Sequence, residues 1–180
     1  MRRTAWGIVM LLLGCTPVHA EATEYQIKAA MLANFALFID WPATSFSAAG
    51  SPFVACVLGN DPFGPWLKHE MGEQVGRRPV EIRHLEKAEA ATGCHMVFIS
   101  RSEQPRLKQV LASLQTTSAL IVTDAGDFTE FCRNGGMIEF VMESGKVRFI
   151  LNANAAARVG LKIDSKLKRI SGSLRCGAGP

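Results

Sequence analysis

The segment 53–58, Phe-Val-Ala-Cys-Val-Leu, constrains the fold more than any other, because apolar and polar residues do not alternate in it. A strand with one face in solvent alternates between the two, whereas a strand of a parallel sheet is covered by helices on both faces and is apolar throughout. The segment therefore predicts a central strand of a parallel sheet.

The chain after this segment continues as short apolar runs separated by helical patterns. Such alternation is typical of βαβ units with right-handed crossovers. Helices are predicted over residues 24–39, 64–72, 87–91, 105–115, 127–134 and 154–159, and further strands over 80–85, 96–100 and 119–123. Residues 137–142 and 146–151 flank Glu143-Ser144-Gly145 and predict an antiparallel hairpin. The expected fold class is α/β, a three-layer sandwich with a mainly parallel sheet, an antiparallel edge hairpin and helices on both faces.

The first predicted helix carries apolar residues at steps of four, four and three. These residues, expected to form its core face, are Ile27, Met31, Phe35 and Phe38. Asn34 lies within this apolar stretch, so we predict a buried amide that bonds a neighbouring loop. Pro42 disfavours helical geometry in the residue before it and ends the helix.

The first twenty residues have the pattern of a secretory signal peptide. Arg2 and Arg3 precede the apolar run 5–13, and Val18-His19-Ala20 is a small-x-small cleavage pattern. The run is much shorter than the roughly 20 residues that cross a bilayer. We therefore predict export, with residues 21–180 as a single mature domain. The alternative is a lipoprotein, because residues 12–15, Leu-Leu-Gly-Cys, resemble a lipidation site at Cys15.

The charge balance argues against a nucleic-acid partner. Lys and Arg number 20 and Asp and Glu 16, and two of the basic residues fall in the predicted leader, so the mature chain is nearly neutral. Basic residues do concentrate near the C terminus, at Arg158, Lys162, Lys166, Lys168, Arg169 and Arg175. This cluster is either a solvated face or a surface for an acidic partner or anionic lipid headgroups.

Four cysteines follow the predicted leader: Cys56, Cys94, Cys132 and Cys176. An even number in an oxidising compartment favours disulfides. In a 2-1-3 strand order the strand of Cys56 neighbours the strand that follows Cys94, about 4.8 Å away, so we predict a Cys56–Cys94 bridge. Cys132 and Cys176 form a second bridge or remain free thiols. Their spacing does not fit a zinc site.

The loop Gly59–Gly64 follows the first predicted strand and precedes a helix, where α/β proteins place ligands. Its G-x-x-x-x-G spacing resembles a phosphate loop, but Pro65 stands where that loop needs lysine, which excludes nucleotide hydrolysis. In one interpretation Asp61 caps the helix and the glycines make turns. In the other the loop binds a ligand or partner. The binding candidates are Gly59, Asp61, Pro62, Phe63, Gly64 and, before them, Trp41 with the segment that follows it.

No arrangement in the sequence predicts catalysis. His69, His84 and His95 lack metal-ligand spacing and are expected to lie on the surface or to be satisfied by hydrogen bonds. No G-x-S-x-G occurs, and spacing forces no two carboxylates together. We expect a non-enzyme without metal or cofactor.

Several segments together resemble the YfiR family. Residues 28–38 with Trp41-Pro42 resemble its opening pattern K-A-x-x-L-Y-N-F-A-x-F-x-x-W-P, although Ala33 stands where the family commonly has tyrosine. Further segments agree in order and spacing: 57–64, 93–95, Asp124 with Gly126, 135–138, 147–152, 160–163 and 165–167. The resemblance covers residues 25–170.

This resemblance implies a periplasmic regulatory protein with the α/β fold expected above. Its best-known members bind the periplasmic sensor domain of an inner-membrane diguanylate cyclase and restrain it. An outer-membrane-linked lipoprotein can sequester such an inhibitor and so raise cyclic di-GMP, and the redox state of the disulfides is thought to affect folding and activity. Three alternatives stay open: the protein forms a homodimer, its partner is another inner-membrane sensor, or it is a small-molecule receptor with a deep apolar pocket at the carboxyl ends of the strands. An extracytoplasmic enzyme is the weakest alternative.

Overall fold

The computed structural model describes residues 18–171, with side chains from residue 24 onward. The predictions that concern the leader, Cys15 and Cys176 therefore lie outside the described side chains. The helices are α1 (Val18–Phe38), α2 (Pro65–Met71), α3 (Leu107–Leu114), α4 (Phe128–Arg133), α5 (Ala153–Arg158) and α6 (Ser165–Ile170). The strands are β1 (Ile39–Asp40), β2 (Phe53–Leu58), β3 (Gln74–Val75), β4 (Arg78–Leu85), β5 (Met96–Ile99), β6 (Leu120–Thr123), β7 (Ile138–Glu143), β8 (Lys146–Leu151) and β9 (Lys162–Ile163).

Seven strands form one sheet in the order β3-β4-β2-β5-β6-β7-β8. The five from β4 to β7 are parallel, and β3 and β8 pair antiparallel at the two edges. Every residue of β2, β5 and β6 is buried, as their uniformly apolar sequences require. The predicted α/β sandwich is confirmed, and so is the 2-1-3 order, here β4-β2-β5.

Helices cover the sheet on both faces because the chain crosses it in two directions. The crossover through α2 leads from β2 to β4, whereas α3 and α4 lead the other way, to β6 and β7. Right-handed crossovers therefore put α2 on one face and α3 and α4 on the opposite face. Helix α1 packs beside α2. Its Phe35 ring lies 5.8 Å from Phe140 of β7 and 5.0 Å from Phe149 of β8.

The prediction of which α1 face is buried is wrong for most of the residues named. The residues buried against the sheet and α2 are Tyr25, Lys28, Ala29, Leu32, Phe35, Ala36 and Ile39. Ile27 and Phe38 are 42% and 38% exposed, and Met31 is only half-buried. Asn34 is exposed too, and its Nδ2 donates to Ala30 O at 2.9 Å within the helix. Apolar residues cover both faces of α1, so their spacing alone does not identify the buried face.

The C-terminal end of α1 is held by elements that the sequence did not reveal. Strand β1 pairs with β9 in a separate two-stranded sheet, with Ile39 opposite Ile163. The Asp164 N–H donates to Phe38 O at 3.0 Å, and α6 packs against α1. These contacts close the C-terminal segment onto the first helix.

Cys56 and Cys94 form the predicted disulfide, with their Cα atoms 6.0 Å apart. Cys132 is disulfide-bonded as well, but its pairing with Cys176 stays a prediction because Cys176 is not described. Among the helices of residues 18–171, none combines the length and apolar character that a membrane span requires.

Candidate functional site

The carboxyl ends of β2 and β5 flank the topological switch point, where open α/β sheets bind ligands. In this chain the loop after β5 fills that position. The Asn60 N–H donates to Ser102 Oγ at 2.9 Å, and a Cβ at Gly59 (φ +86°) would overlap Ser102 and Glu103. Glu103 is buried, and its carboxylate accepts hydrogen bonds from Nε and Nη2 of Arg106 at 2.6 and 2.9 Å. The switch point is therefore packed by the protein's own side chains.

Asp61 does not cap α2 as one interpretation predicted, because the N-cap residue is Gly64; its carboxylate instead bonds within the loop and to β4. Asp61 Oδ1 accepts from the Phe63 N–H at 2.8 Å, and Oδ2 lies 3.0 Å from His84 Nε2. Gly64 precedes α2 with φ +53°, which suits glycine.

Phe63 is buried, in edge-to-face contact with Tyr25 and Phe98, so its ring is not presented to a partner as the binding interpretation expected. Asp61 and Pro62 lie at or near the surface.

Trp41, the other binding candidate, is half-buried at the opposite end of the sheet. Its Nε1 donates to His95 O at 3.0 Å, and its ring meets Phe53 edge-on at 5.0 Å. His95 Nδ1 accepts from the Val54 N–H, and Nε2 lies 3.0 Å from the Ser45 carbonyl oxygen, so the proton is on Nε2. Burial lowers the pKa of His95. These contacts fix the chain leaving α1 against β2 and β5.

Asp124, directly after β6, is the centre of a buried polar cluster at the carboxyl ends of the strands. Its Oδ2 accepts from Tyr25 Oη at 2.8 Å and from Lys28 Nζ at 2.6 Å. Its Oδ1 has no hydrogen-bond partner within the described residues. Burial, and then the negative charge of Asp124, raises the pKa of the Tyr25 phenol. The phenol therefore stays protonated and acts as a donor.

Two further charges complete this cluster. Lys28 Nζ lies 2.5 Å from Glu24 Oε1 and 4.4 Å from the centre of the Tyr25 ring. Arg101 Nη2 lies 3.3 Å from the same Glu24 oxygen, and Arg101 Nε donates to Asp124 O at 3.2 Å. Two cations and two carboxylates thus neutralise one another across α1, β5 and β6. Because α1 supplies Glu24 and Lys28 and the loops after β5 and β6 supply Arg101 and Asp124, the cluster ties α1 to this end of the sheet.

Glu139 of β7 is a second buried carboxyl near this end of the sheet. Burial, followed by the charge of Asp127, raises its pKa to about 7, and a hydrogen bond from the Gly126 backbone opposes the shift. Its Oε2 has no hydrogen-bond partner within the described residues. A pKa of about 7 makes the charge of this buried carboxyl sensitive to pH near neutrality.

An open groove of about 720 Å³ lies beside the carboxyl end of β6, between α3 and the start of α4. Leu107 and Ala125 are apolar residues of its wall, but Lys108, Asp127 and Glu130 also line it. This mixed lining differs from the deep apolar pocket that a small-molecule receptor was expected to have.

The polar groups at the carboxyl ends are bonded mainly to one another. Asp124, Glu24 and Glu103 each meet a cation, which leaves them committed to internal ion pairs. Across the part of the chain that the structure describes, no three His, Cys, Asp or Glu side chains converge as metal ligands would. The arrangement suits a scaffold with a rigidly placed first helix.

Sequence reasoning did not single out Tyr25, Lys28 or Glu139. Asp124 carried a usable signal, since it directly follows a predicted strand, where parallel sheets collect functional side chains. Lys28 gave no such signal, because assigning it to the core requires knowing that α1 buries the face of Leu32 rather than that of Met31.

The fold is a doubly wound α/β sandwich whose switch point is packed by the protein's own side chains. The YfiR/HmsC-like family matches residues 25–171. This match spans most of the chain, and the protein belongs to the YfiR/HmsC-like family.

Proposed function

We propose that this protein is a periplasmic regulator of cyclic di-GMP signalling that binds the periplasmic domain of an inner-membrane diguanylate cyclase and catalyses nothing itself. The observation that carries the proposal is the family match over residues 25–171, because the family is regulatory rather than catalytic. Residues 21–180 then form the exported domain, and an outer-membrane-linked lipoprotein is its second partner.

Two features support the compartment and the mode of action. The Cys56–Cys94 disulfide suits an oxidising compartment outside the cytosol, in agreement with the leader pattern of residues 1–20. Glu24, Asp124 and Glu103 are paired internally, which favours action by surface contact. Trp41, Gly59, Asp61, Pro62 and Gly64 stay proposed contact residues, and Asp61 and Gly64 are the exposed ones among them.

The test starts from cells that carry the gene. Mature protein with an affinity tag is recovered from the periplasm, and membrane proteins bound to it are identified after mild crosslinking. We expect an inner-membrane protein with a cytoplasmic cyclase domain, and higher cellular cyclic di-GMP when the gene is deleted. Unchanged cyclic di-GMP together with no captured cyclase contradicts the proposal, and capture of a histidine kinase redirects it to another sensor.

The groove beside β6 favours one second candidate, a receptor in which a small polar ligand biases partner binding. A ligand that binds only the native state raises the free energy of unfolding by about 2.7 kcal/mol when its concentration is 100 times Kd. The melting temperature rises accordingly. Thermal-shift screening of periplasmic metabolites is the measurement. A hit that Glu130→Ala abolishes supports the groove; no shift across a broad panel argues against a receptor.

A further inference from the structure

Helix α1 has a second face whose apolar residues are exposed or only partly buried. This face, which we call the α1 stripe, consists of Ile27, Ala30, Met31, Asn34, Leu37 and Phe38. Among the residues that the structure describes, five large hydrophobic side chains are exposed, and three of them are on the stripe. Leu37 is 59% exposed and Ile27 42%. An apolar helix face of this kind marks an interaction site more often than chance exposure does.

The spacing of the stripe matches a surface that receives another helix. Residues 27, 31, 34 and 38 follow one another at steps of four, three and four, the repeat by which one helix packs against a second in a coiled coil. The stripe runs along about 16 Å, or three turns, of α1. Asn34 interrupts it, and a single polar residue at such a position sets the register of helix pairing.

At the end of the stripe near Phe38, exposed cations outnumber exposed carboxylates among the described residues, with Lys162, Lys166, Lys168 and Arg169 against Asp40 and Asp164. Helix α6 packs against α1 and carries Lys166, Lys168 and Arg169, all exposed. None of these three takes part in an ion pair with another described residue. Cations without partners beside an apolar face favour an occupant that brings carboxylates.

Among the side chains that the structure describes, a second copy offers the α6 cations no unpaired carboxylate at the opposite end of the stripe. At the other end of the stripe, Glu24 is already paired with Lys28 and Arg101. A two-fold packing of α1 on α1 would therefore leave the α6 cations of both copies without partners. The charge pattern instead favours a different protein.

We propose that the α1 stripe docks an amphipathic helix of a partner protein, apolar toward α1 and acidic toward α6. The inference rests on the proposed function, and the helix belongs to the periplasmic domain of the inner-membrane protein. The apolar residues of the stripe supply the affinity, and the α6 cations supply orientation and association rate.

The test measures binding of the purified periplasmic domain captured above to the full mature protein by biolayer interferometry. Leu37→Glu and Ile27→Glu each place a carboxylate on the stripe, and both positions are exposed enough for the fold to persist. We expect each to weaken binding about tenfold or more. Met142→Glu is the matched control, because Met142 is 49% exposed on β7, and it should bind like the wild type. Lys168→Glu with Arg169→Glu should slow association and weaken its salt dependence.

The outcomes separate this inference from the proposed function. Failure of the wild-type protein to bind any inner-membrane partner contradicts the proposed function itself. Wild-type binding that Leu37→Glu and Ile27→Glu leave intact overturns the stripe alone. Stripe-dependent dimerisation in sedimentation, or stripe-dependent flotation with vesicles of phosphatidylglycerol and phosphatidylethanolamine, would show a different occupant and also overturn it. Circular dichroism and melting temperatures equal to the wild type's establish that the variants are folded.

Discussion

At the scale of single residues, Lys28 holds the least replaceable position of the described cluster. Its ammonium is buried and touches the carboxylates of Glu24 and Asp124. Removing one partner of a buried ion pair leaves the other charge uncompensated, which costs about 3–5 kcal/mol. We expect Lys28→Met to lower the free energy of unfolding by that amount in urea titrations, and Lys28→Met with Asp124→Asn to recover part of it.

Lys68 provides the control for this prediction. Its ammonium lies 3.3 Å from Glu73 Oε1, but both side chains are exposed. Lys68→Met should therefore change the free energy of unfolding by no more than about 0.5 kcal/mol. Equal effects of the two substitutions would mean that the buried cluster does not hold α1 in place.

Glu139 makes stability depend on pH in an unusual direction. Its folded pKa of about 7 lies above the ordinary value of 4.5, so the native state holds a proton that the unfolded chain has lost between these pH values. Its contribution to stability is therefore full in acid and lost as pH rises through 7. Glu139→Gln keeps the neutral form at all pH values and should raise the free energy of unfolding at pH 8 by about 2 kcal/mol more than at pH 5.

His95 gives this experiment an internal check. Its folded pKa is lowered, so its contribution is present above about pH 6.5 and is lost as pH falls. In the wild type, Glu139 and His95 change the free energy of unfolding with pH in opposite directions. In Glu139→Gln only the histidine contribution is left, so the free energy of unfolding should fall as the pH is lowered. Urea midpoints at pH 5, 6, 7 and 8 measure both. A variant whose curve parallels the wild type would show that Glu139 ionises normally.

At the scale of elements, α1 shows where sequence reasoning stops. The strands β2, β5 and β6 were predictable because an apolar run of four to six residues fits a strand that is buried on both faces. Helix α1 is apolar around most of its circumference, so tertiary packing rather than periodicity selects the core face. Strands β1 and β9 have two residues each, too few for a repeating pattern. Helix α6 follows an Asp164 cap, but it has only six residues, three of them charged, which is too few for a clear helical periodicity.

The assignment of the two α1 faces makes its own prediction. Leu32 is 1% exposed and Leu37 is 59% exposed, although both are leucines of the same helix. Leu32→Ala should lower the free energy of unfolding by about 2–5 kcal/mol through lost burial and the cavity left behind. Leu37→Ala should change it by no more than about 0.5 kcal/mol. Chemical denaturation of the two variants checks the assignment, and a larger loss from Leu37→Ala would mean that the stripe is part of the core.

At the scale of the whole molecule, the disulfide joins β2 to the turn that leads into the neighbouring strand β5. The 2-1-3 order of three strands, which the disulfide prediction assumed, is the order that the sheet has at β4, β2 and β5. That order placed Cys56 next to Cys94 before any distance was known. The ion pairs around Asp124 could not be predicted in the same way, since they join residues 96 and 99 positions apart. Their geometry exists only once α1 has docked on the sheet.

The Cys56–Cys94 bridge closes a loop with a sequence separation of 38. By the chain-entropy model this removes on the order of 3–4 kcal/mol of unfolded-state freedom, a large share of the roughly 5–15 kcal/mol typical of a domain. We therefore expect Cys56→Ala with Cys94→Ala to melt well below the wild type without reductant. Paired substitution is better than dithiothreitol, because Cys132 is also disulfide-bonded and a reductant would break both bridges. A double variant that melts with the wild type would show that the sheet, rather than the crosslink, holds these strands together.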